Sequence, residues 1–202
     1  MTRIKICGVT SVEQALSCVD AGADALGVNF VAPNARRVDR AVAESIVGAV
    51  GDRALVVGVV AGMTVDAMRA LRDRTGVGCL QIHGDHPADV QALLPHAYGA
   101  VGVAAAGDVA RAEAMPGEFV MVDARVDGFL GGTGHAFDWS LVVQLAKRRK
   151  VVLAGGLTPA NVAGAIRAVG PWCVDVASGV ESAPGHKDIA KVRAFVDAVR
   201  SA

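Results

Sequence analysis

The sequence predicts a closed (β/α)8 barrel, and three observations point to it. Short apolar runs alternate with helical-period segments from end to end, eight of each. The apolar runs are continuous, as in parallel strands covered on both faces. The 202 residues shared among eight units leave about 25 each, which suits a barrel with few insertions. An open doubly wound sheet is the competing arrangement, but it rarely needs eight units in so short a chain. No linker interrupts the pattern, so residues 1–202 read as one domain.

The units follow in order. Arg3–Cys7 is the first strand, and Thr10 and Ser11 can cap a helix carrying Val12, Ala15, Leu16 and Val19 on one face. Ala25–Phe30 is the second strand. A loop ending in Arg36 and Arg37 leads to a helix from about Asp39, with Val42, Ile46, Ala49 and Val50 inward. Ala54–Val60 is the third strand, and Thr64 caps a helix bearing Val65, Met68 and Leu71. Cys79–Ile82 is the fourth, ending at His83-Gly84, with a helix over about Pro87–Leu94 that turns Val90, Leu93 and Leu94 inward. Ala100–Ala104 and a short helix near Asp108–Met115 make the fifth unit. Phe119–Asp123 is the sixth strand, and a glycine-rich loop leads to Asp138, the cap of a helix with Trp139, Val142, Val143 and Ala146. Val151–Ala154 precedes Gly155-Gly156, and Thr158-Pro159 opens the seventh helix as N-cap and first-turn proline. Cys173–Ala177 precedes Ser178-Gly179, and the last helix starts near Lys187-Asp188.

Composition excludes several classes. Twenty basic residues balance twenty acidic ones, so there is no nucleic-acid footprint. The one basic run, Lys147–Lys150, falls where a helix ends and where cations offset the helix dipole. No apolar run reaches the ~18 residues of a membrane span, and the N-terminus carries no signal peptide. The cysteines at 7, 18, 79 and 173 have neither metal-ligand nor redox spacing. A reduced, cytoplasmic protein without disulfides or zinc is expected.

In such a barrel the active site lies at the C-terminal ends of the strands. The polar residues there are Cys7, His83, Asp123, Gly155, Gly156, Ser178 and Gly179, joined by Arg36 from the second loop. Each has a bland reading: a packed thiol, a backbone-bonded histidine, a turn-capping carboxylate, a surface arginine. Six of the eight strand ends nevertheless supply a candidate to that one face. An acid held protonated in an apolar pocket can donate a proton. An arginine over the mouth can hold a carboxylate. Glycine loops after the last two strands can bind an anion through exposed N–H groups. Lys5 shares its strand face with Cys7, and Asp175 lies in the strand that meets the first on closure, so the two should pair inside the barrel.

Several stretches are similar to those of the phosphoribosylanthranilate isomerase family. They are Lys5-Ile6-Cys7-Gly8-Val9-Thr10, Gln81-Ile82-His83-Gly84, Gly131-Gly132-Thr133-Gly134 with Phe137-Asp138-Trp139, Leu153-Ala154-Gly155-Gly156-Leu157, Val174–Glu181 and Pro184–Asp188. The resemblance implies an Amadori rearrangement in tryptophan biosynthesis, with no metal or organic cofactor. It implies Cys7 as general base, with a lowered pKa, and Asp123 as general acid. Arg36 would face the anthranilate carboxylate, and Gly155, Gly156, Ser178 and Gly179 the phosphate. His83 and Asp175 would lie near the ligand. The partner would be a phosphorylated sugar, and the protein a monomer or homodimer. The motif around Arg36 departs from the family, because Arg37 stands where an aromatic is usual. Rival readings are a histidine-pathway phosphoribosyl isomerase, in which aspartate stands in place of the thiol, a dual-substrate isomerase, which would need a second phosphate site in the opposite half of the barrel, and a non-catalytic phosphate-binding barrel.

Overall fold

A computed structural model describes residues 1–84, 91–124 and 138–202. The glycine run 131–134, Phe137 and the first part of the expected Pro87–Leu94 helix, including Val90, lie outside the described residues.

Eight strands close in sequence order: β1 (Arg3–Cys7), β2 (Ala25–Asn29), β3 (Leu55–Ala61), β4 (Cys79–His83), β5 (Ala97–Val103), β6 (Phe119–Ala124), β7 (Lys150–Leu153) and β8 (Cys173–Val176). Every neighbouring pair is parallel, and β8 returns to β1. This is the (β/α)8 barrel that the alternation predicts. Helices Val12–Asp20, Arg40–Val50 and Val65–Thr75 follow the first three strands. Ala106–Ala114, Val143–Arg148, Val162–Val169 and Ile189–Arg200 follow β5 to β8. Ser11, Thr64 and Asp188 accept first-turn N–H groups as caps.

Alternation along each strand separates two cores. Outward residues such as Ile4, Ile6, Leu26, Leu80, Val122 and Leu153 pack under the helices. Inward residues Val57, Tyr98, Met121, Val152 and Cys173 fill the barrel. Above them, Lys5 on β1 stands in register with Asp175 on β8, and its Nζ lies 2.7 Å from the carboxylate. Both side chains are 2–3% exposed. The expected interior ion pair is therefore present and sits on the seam that closes the barrel. The basic run is structural: Arg148 pairs with Glu113, Lys150 with Glu118, and Arg149 donates to the Glu113, Met115 and Gly117 carbonyls at the end of the Ala106–Ala114 helix.

Some local expectations fail for identifiable reasons. Thr158-Pro159 does not open the seventh helix. Asn161 does so in its place, because its Oδ1 takes the Thr158 N–H and holds residues 158–161 in a preceding turn. Ala43, not Ala49, is the buried alanine of its helix, and Leu93 is 56% exposed, whereas Leu94 is turned inward as expected. A two-stranded hairpin, β9 (Glu181–Ala183) and β10 (His186–Lys187), lies between β8 and the last helix.

The seam pair makes a stability claim. Lys5→Met leaves the Asp175 carboxylate buried without its cation and should cost about 3–5 kcal/mol in urea unfolding. Lys5→Met with Asp175→Leu should recover most of that loss.

Candidate active site

The strand ends surround a cavity of about 640 Å3, counting its mouth open to solvent. Cys7, Arg36, His83, Asp123, Gly155, Gly156, Asp175 and Ser178 all line it, so eight of the nine residues singled out from the sequence converge there. Gly179 stands beside the lining. Its α-carbon is so close to the loop after β7 that an added Cβ would lie 2.0 Å from the Leu157 carbonyl oxygen. Asn29 and Asn34 also line the cavity, and sequence reasoning did not assign them to the site. No three His, Cys, Asp or Glu side chains form a metal-ligand group among the described residues.

Cys7 ends β1 directly above Lys5. Gly27 on the adjacent β2 makes room for both: a Cβ there would lie 2.7 Å from Cys7 Sγ and 3.1 Å from Lys5 Nζ. Lys5 stays protonated. Burial pulls its pKa down, but the Asp175 carboxylate more than offsets this. The thiol of Cys7 is pushed up from its ordinary value, chiefly by burial, with Lys5 and Lys187 opposing. Two cations do stand near this thiol, but the lowered pKa that the resemblance implies is not found, because desolvation of the thiolate outweighs them.

Asp123 ends the inward face of β6. Its Oδ1 accepts the Ala124 N–H at 2.8 Å, and burial, helped by the Asp175 charge, raises its pKa to about 6. Gly155 lies against it: at φ +90°, an added Cβ would meet Ala124 N at 2.5 Å and Asp123 Oδ1 at 3.0 Å. The glycine after β7 thus gives the carboxyl space as well as lining the cavity. Within the same segment, Asn161 Nδ2 donates to the Gly156 carbonyl and braces that loop.

His83 is held by a chain of side chains inside the barrel. Tyr98 Oη donates to Gln81 Oε1 at 2.8 Å, which turns the Gln81 amide nitrogen to His83 Nε2 at 2.6 Å. The His83 Nε2 then accepts, and the ring proton sits on Nδ1. Burial, with Lys5 adding to it, lowers the pKa of His83 to about 4, so the ring is neutral at physiological pH. Gln81 and Tyr98 were not anticipated as site-shaping residues. The signal that could have exposed them is polarity at inward positions of otherwise apolar strands.

Arg36 reaches the cavity from the loop after β2, whereas Arg37 points away and pairs loosely with Asp39 at 3.8 Å. The Arg36 guanidinium forks onto Glu181, Nε to Oε1 at 2.9 Å and Nη2 to Oε2 at 2.7 Å. Lys187, whose side chain is fully buried, donates to the same Oε1 at 2.8 Å. Burial works against ionisation of Glu181, but its bonds to Arg36 and Lys187 hold the carboxyl below the usual range.

The site makes a stability prediction independent of turnover. Raising the Asp123 carboxyl from 3.8 to about 6 withdraws roughly 3 kcal/mol from the folded state once the group ionises. Below pH ~4 the carboxyl is protonated whether the chain is folded or not, so the penalty vanishes there. Asp123→Asn should therefore be more stable than the parent at pH 8. In chemical denaturation that gap should close as pH falls from about 6 to 4.

Comparison with known proteins agrees with the geometry. The family model described as N-(5'phosphoribosyl)anthranilate (PRA) isomerase matches residues 4–198. The N-(5'-phosphoribosyl)anthranilate isomerase of Pseudomonas aeruginosa (strain LESB58) is 46% identical over 203 residues, covering 98% of this chain and 95% of that protein. That of Desulforudis audaxviator is 41% identical, with 100% of both chains covered. The crystal structure of phosphoribosyl anthranilate isomerase from Thermotoga maritima superposes with a TM-score of 0.93 at 32% identity, covering both chains completely. Another solved phosphoribosyl anthranilate isomerase, at a TM-score of 0.90 and 32% identity over both full chains, holds reduced 1-(o-carboxyphenylamino)-1-deoxyribulose 5-phosphate. By sequence over its whole length, by fold and by the residues gathered at its barrel mouth, this chain belongs to the N-(5'-phosphoribosyl)anthranilate isomerase family.

Proposed function

We propose that residues 1–202 form one catalytic unit that converts N-(5'-phosphoribosyl)anthranilate to 1-(2-carboxyphenylamino)-1-deoxyribulose 5-phosphate, a step of tryptophan biosynthesis. The observation that carries the reading is the placement of Cys7 and Asp123 on one cavity, three strands apart around the barrel, within a family of this activity. We take the protein to be a cytoplasmic enzyme: its four cysteines are free thiols, and its relatives carry out a biosynthetic step.

Asp123, protonated, gives its proton to the furanose ring oxygen, and the ring opens to a Schiff base. Cys7, as thiolate, takes the proton from sugar C2, and the resulting enolamine tautomerises to the ketoamine. Asp123 then regains a proton and Cys7 loses one to solvent, so the net change is isomerisation. Arg36 faces the anthranilate carboxylate, and the backbone N–H groups around Gly155, Gly156, Ser178 and Gly179 receive the phosphate. His83 and Asp175 bond the sugar between them. Asp175 Oδ1 is buried and lacks a partner among the described residues, which leaves it free for a hydroxyl. The thiol at position 7 distinguishes this reading from the histidine-pathway isomerase, and the pairing of acid with thiol distinguishes it from a phosphate-binding barrel without turnover.

The defining experiment supplies purified protein with N-(5'-phosphoribosyl)anthranilate and follows ketoamine formation. Absence of turnover removes the assignment. Cys7→Ala and Asp123→Asn should each lower kcat by ~10²–10⁴. Near-normal kcat in either variant removes that residue's role.

The titrations also set the pH dependence. The active form carries a protonated Asp123 and an ionised Cys7, yet the acid titrates near 6 and the thiol above its ordinary 9.0. The productive pairing is thus the minor one, below about one molecule in a thousand in the free enzyme. kcat/KM should be flat between the two values and fall on either side, the acidic break belonging to Asp123 and the alkaline break to Cys7. Site-resolved iodoacetamide labelling of the free enzyme should show Cys7 reacting faster as pH rises past 9. A Cys7 that titrates below pH 7 would reverse this assignment.

A further inference from the structure

We infer that Glu181 is a positioning residue for recognition of the substrate's carboxylate. Together with Lys187 it fixes the Arg36 guanidinium at the barrel mouth and sets the charge of the cluster that the carboxylate meets. The inference rests on the reading that Arg36 faces that group.

Three contacts immobilise Arg36. Its stem crosses directly over Gly8, where an added Cβ would lie 2.5 Å from Arg36 Cδ. Its Nε and Nη2 are both bonded to Glu181, which leaves Nη1 as the guanidinium nitrogen without a protein hydrogen bond among the described residues. The loop behind it abuts the β9–β10 hairpin, since an added Cβ on Gly185 would lie 2.9 Å from the Ala35 carbonyl oxygen. The hairpin is itself tied to the first helix: the Gly185 carbonyl accepts from Thr10 Oγ1 at 2.8 Å and Gln14 Nε2 at 3.2 Å. Glu181 is anchored too, because Lys187 Nζ and the Gly185 N–H both donate to its Oε1.

A fork held in advance loses less freedom when a carboxylate arrives than an arginine on a free stem. The pairing alone would neutralise Arg36 and weaken its attraction for an anion. Lys187 corrects this: two cations and one carboxylate leave the cluster at plus one. Its ammonium is buried behind Glu181, so it contributes charge without competing for the ligand. Glu181 and Lys187 therefore act together, one for orientation and the other for sign.

The test compares two substrates, N-(5'-phosphoribosyl)anthranilate and N-(5'-phosphoribosyl)aniline, which lacks the carboxylate. The readout is the ratio of their kcat/KM values, in which any change at Cys7 or in the fold cancels. Glu181→Gln with Lys187→Met keeps the net charge at plus one and removes only the orientation. Its preference for the carboxylated substrate should fall about tenfold, through KM and not kcat. Glu181→Asp keeps both charges and disturbs the packing least, but is one methylene too short for the fork. It should lower the preference in the same direction, which guards against misfolding of the double variant. Arg36→Met must abolish the preference. If it does and both Glu181 variants keep the wild-type ratio, Glu181 does not position Arg36. If Arg36→Met itself leaves the ratio unchanged, the carboxylate reading of Arg36 falls and this inference falls with it.

Discussion

The site depends on one buried ion pair, Lys5 with Asp175, on the seam where β8 meets β1. Two charges taken out of water are tolerated there only because they lie in direct contact. Their fields reach Cys7, His83 and Asp123 above them. Lys5 favours the ionised form of Cys7 and disfavours a charged His83, while Asp175 disfavours ionisation of Asp123. One pair thus closes the barrel and sets the electrostatics of its mouth.

Burial has opposite consequences for the two groups placed in proton transfer. It raises the Asp123 carboxyl toward neutrality, where a proton donor is most effective. It also raises the Cys7 thiol, which withholds the thiolate that a base requires. Lys5 and Lys187 limit this second effect without cancelling it. In the proposed reaction an enclosed pocket would therefore favour the acid at the expense of the base, and the cations below and beside Cys7 are a partial remedy.

Much of this was legible in the sequence. The barrel followed from eight continuous apolar strands with helices between them, a pattern that leaves few alternatives. The Lys5–Asp175 pair followed from period-two alternation plus closure. Cys7, His83 and Asp123 could be placed because strand ends in this fold all face one side. What was not legible has a common cause. The Arg36–Glu181 fork joins residues 145 apart, and the Tyr98–Gln81–His83 chain depends on which side chains face inward at one level of the barrel. The fork leaves no local signature, and the chain leaves only the polarity of Gln81 and Tyr98 at inward strand positions. Thr158-Pro159 did carry a helix-start signal, but the Asn161 side chain captured the Thr158 N–H and moved the boundary. The direction of the Cys7 shift was misjudged because neighbouring charges can be guessed from sequence, whereas the depth of burial cannot.

The hairpin at residues 181–187 has a consequence in time. Cys7 and Asp123 come earlier in the chain, but the clamp on Arg36 needs Glu181 and Lys187, and the ion pair needs Asp175. During synthesis β1 emerges first and keeps an unpaired edge until β8 follows, with Lys5 awaiting its counter-ion throughout. The contacts that fix Arg36 come into being only once residues 181–187 are made. A ribosome-bound chain stopped before residue 175 would display Cys7 and Asp123 with Lys5 unpaired and Arg36 unclamped.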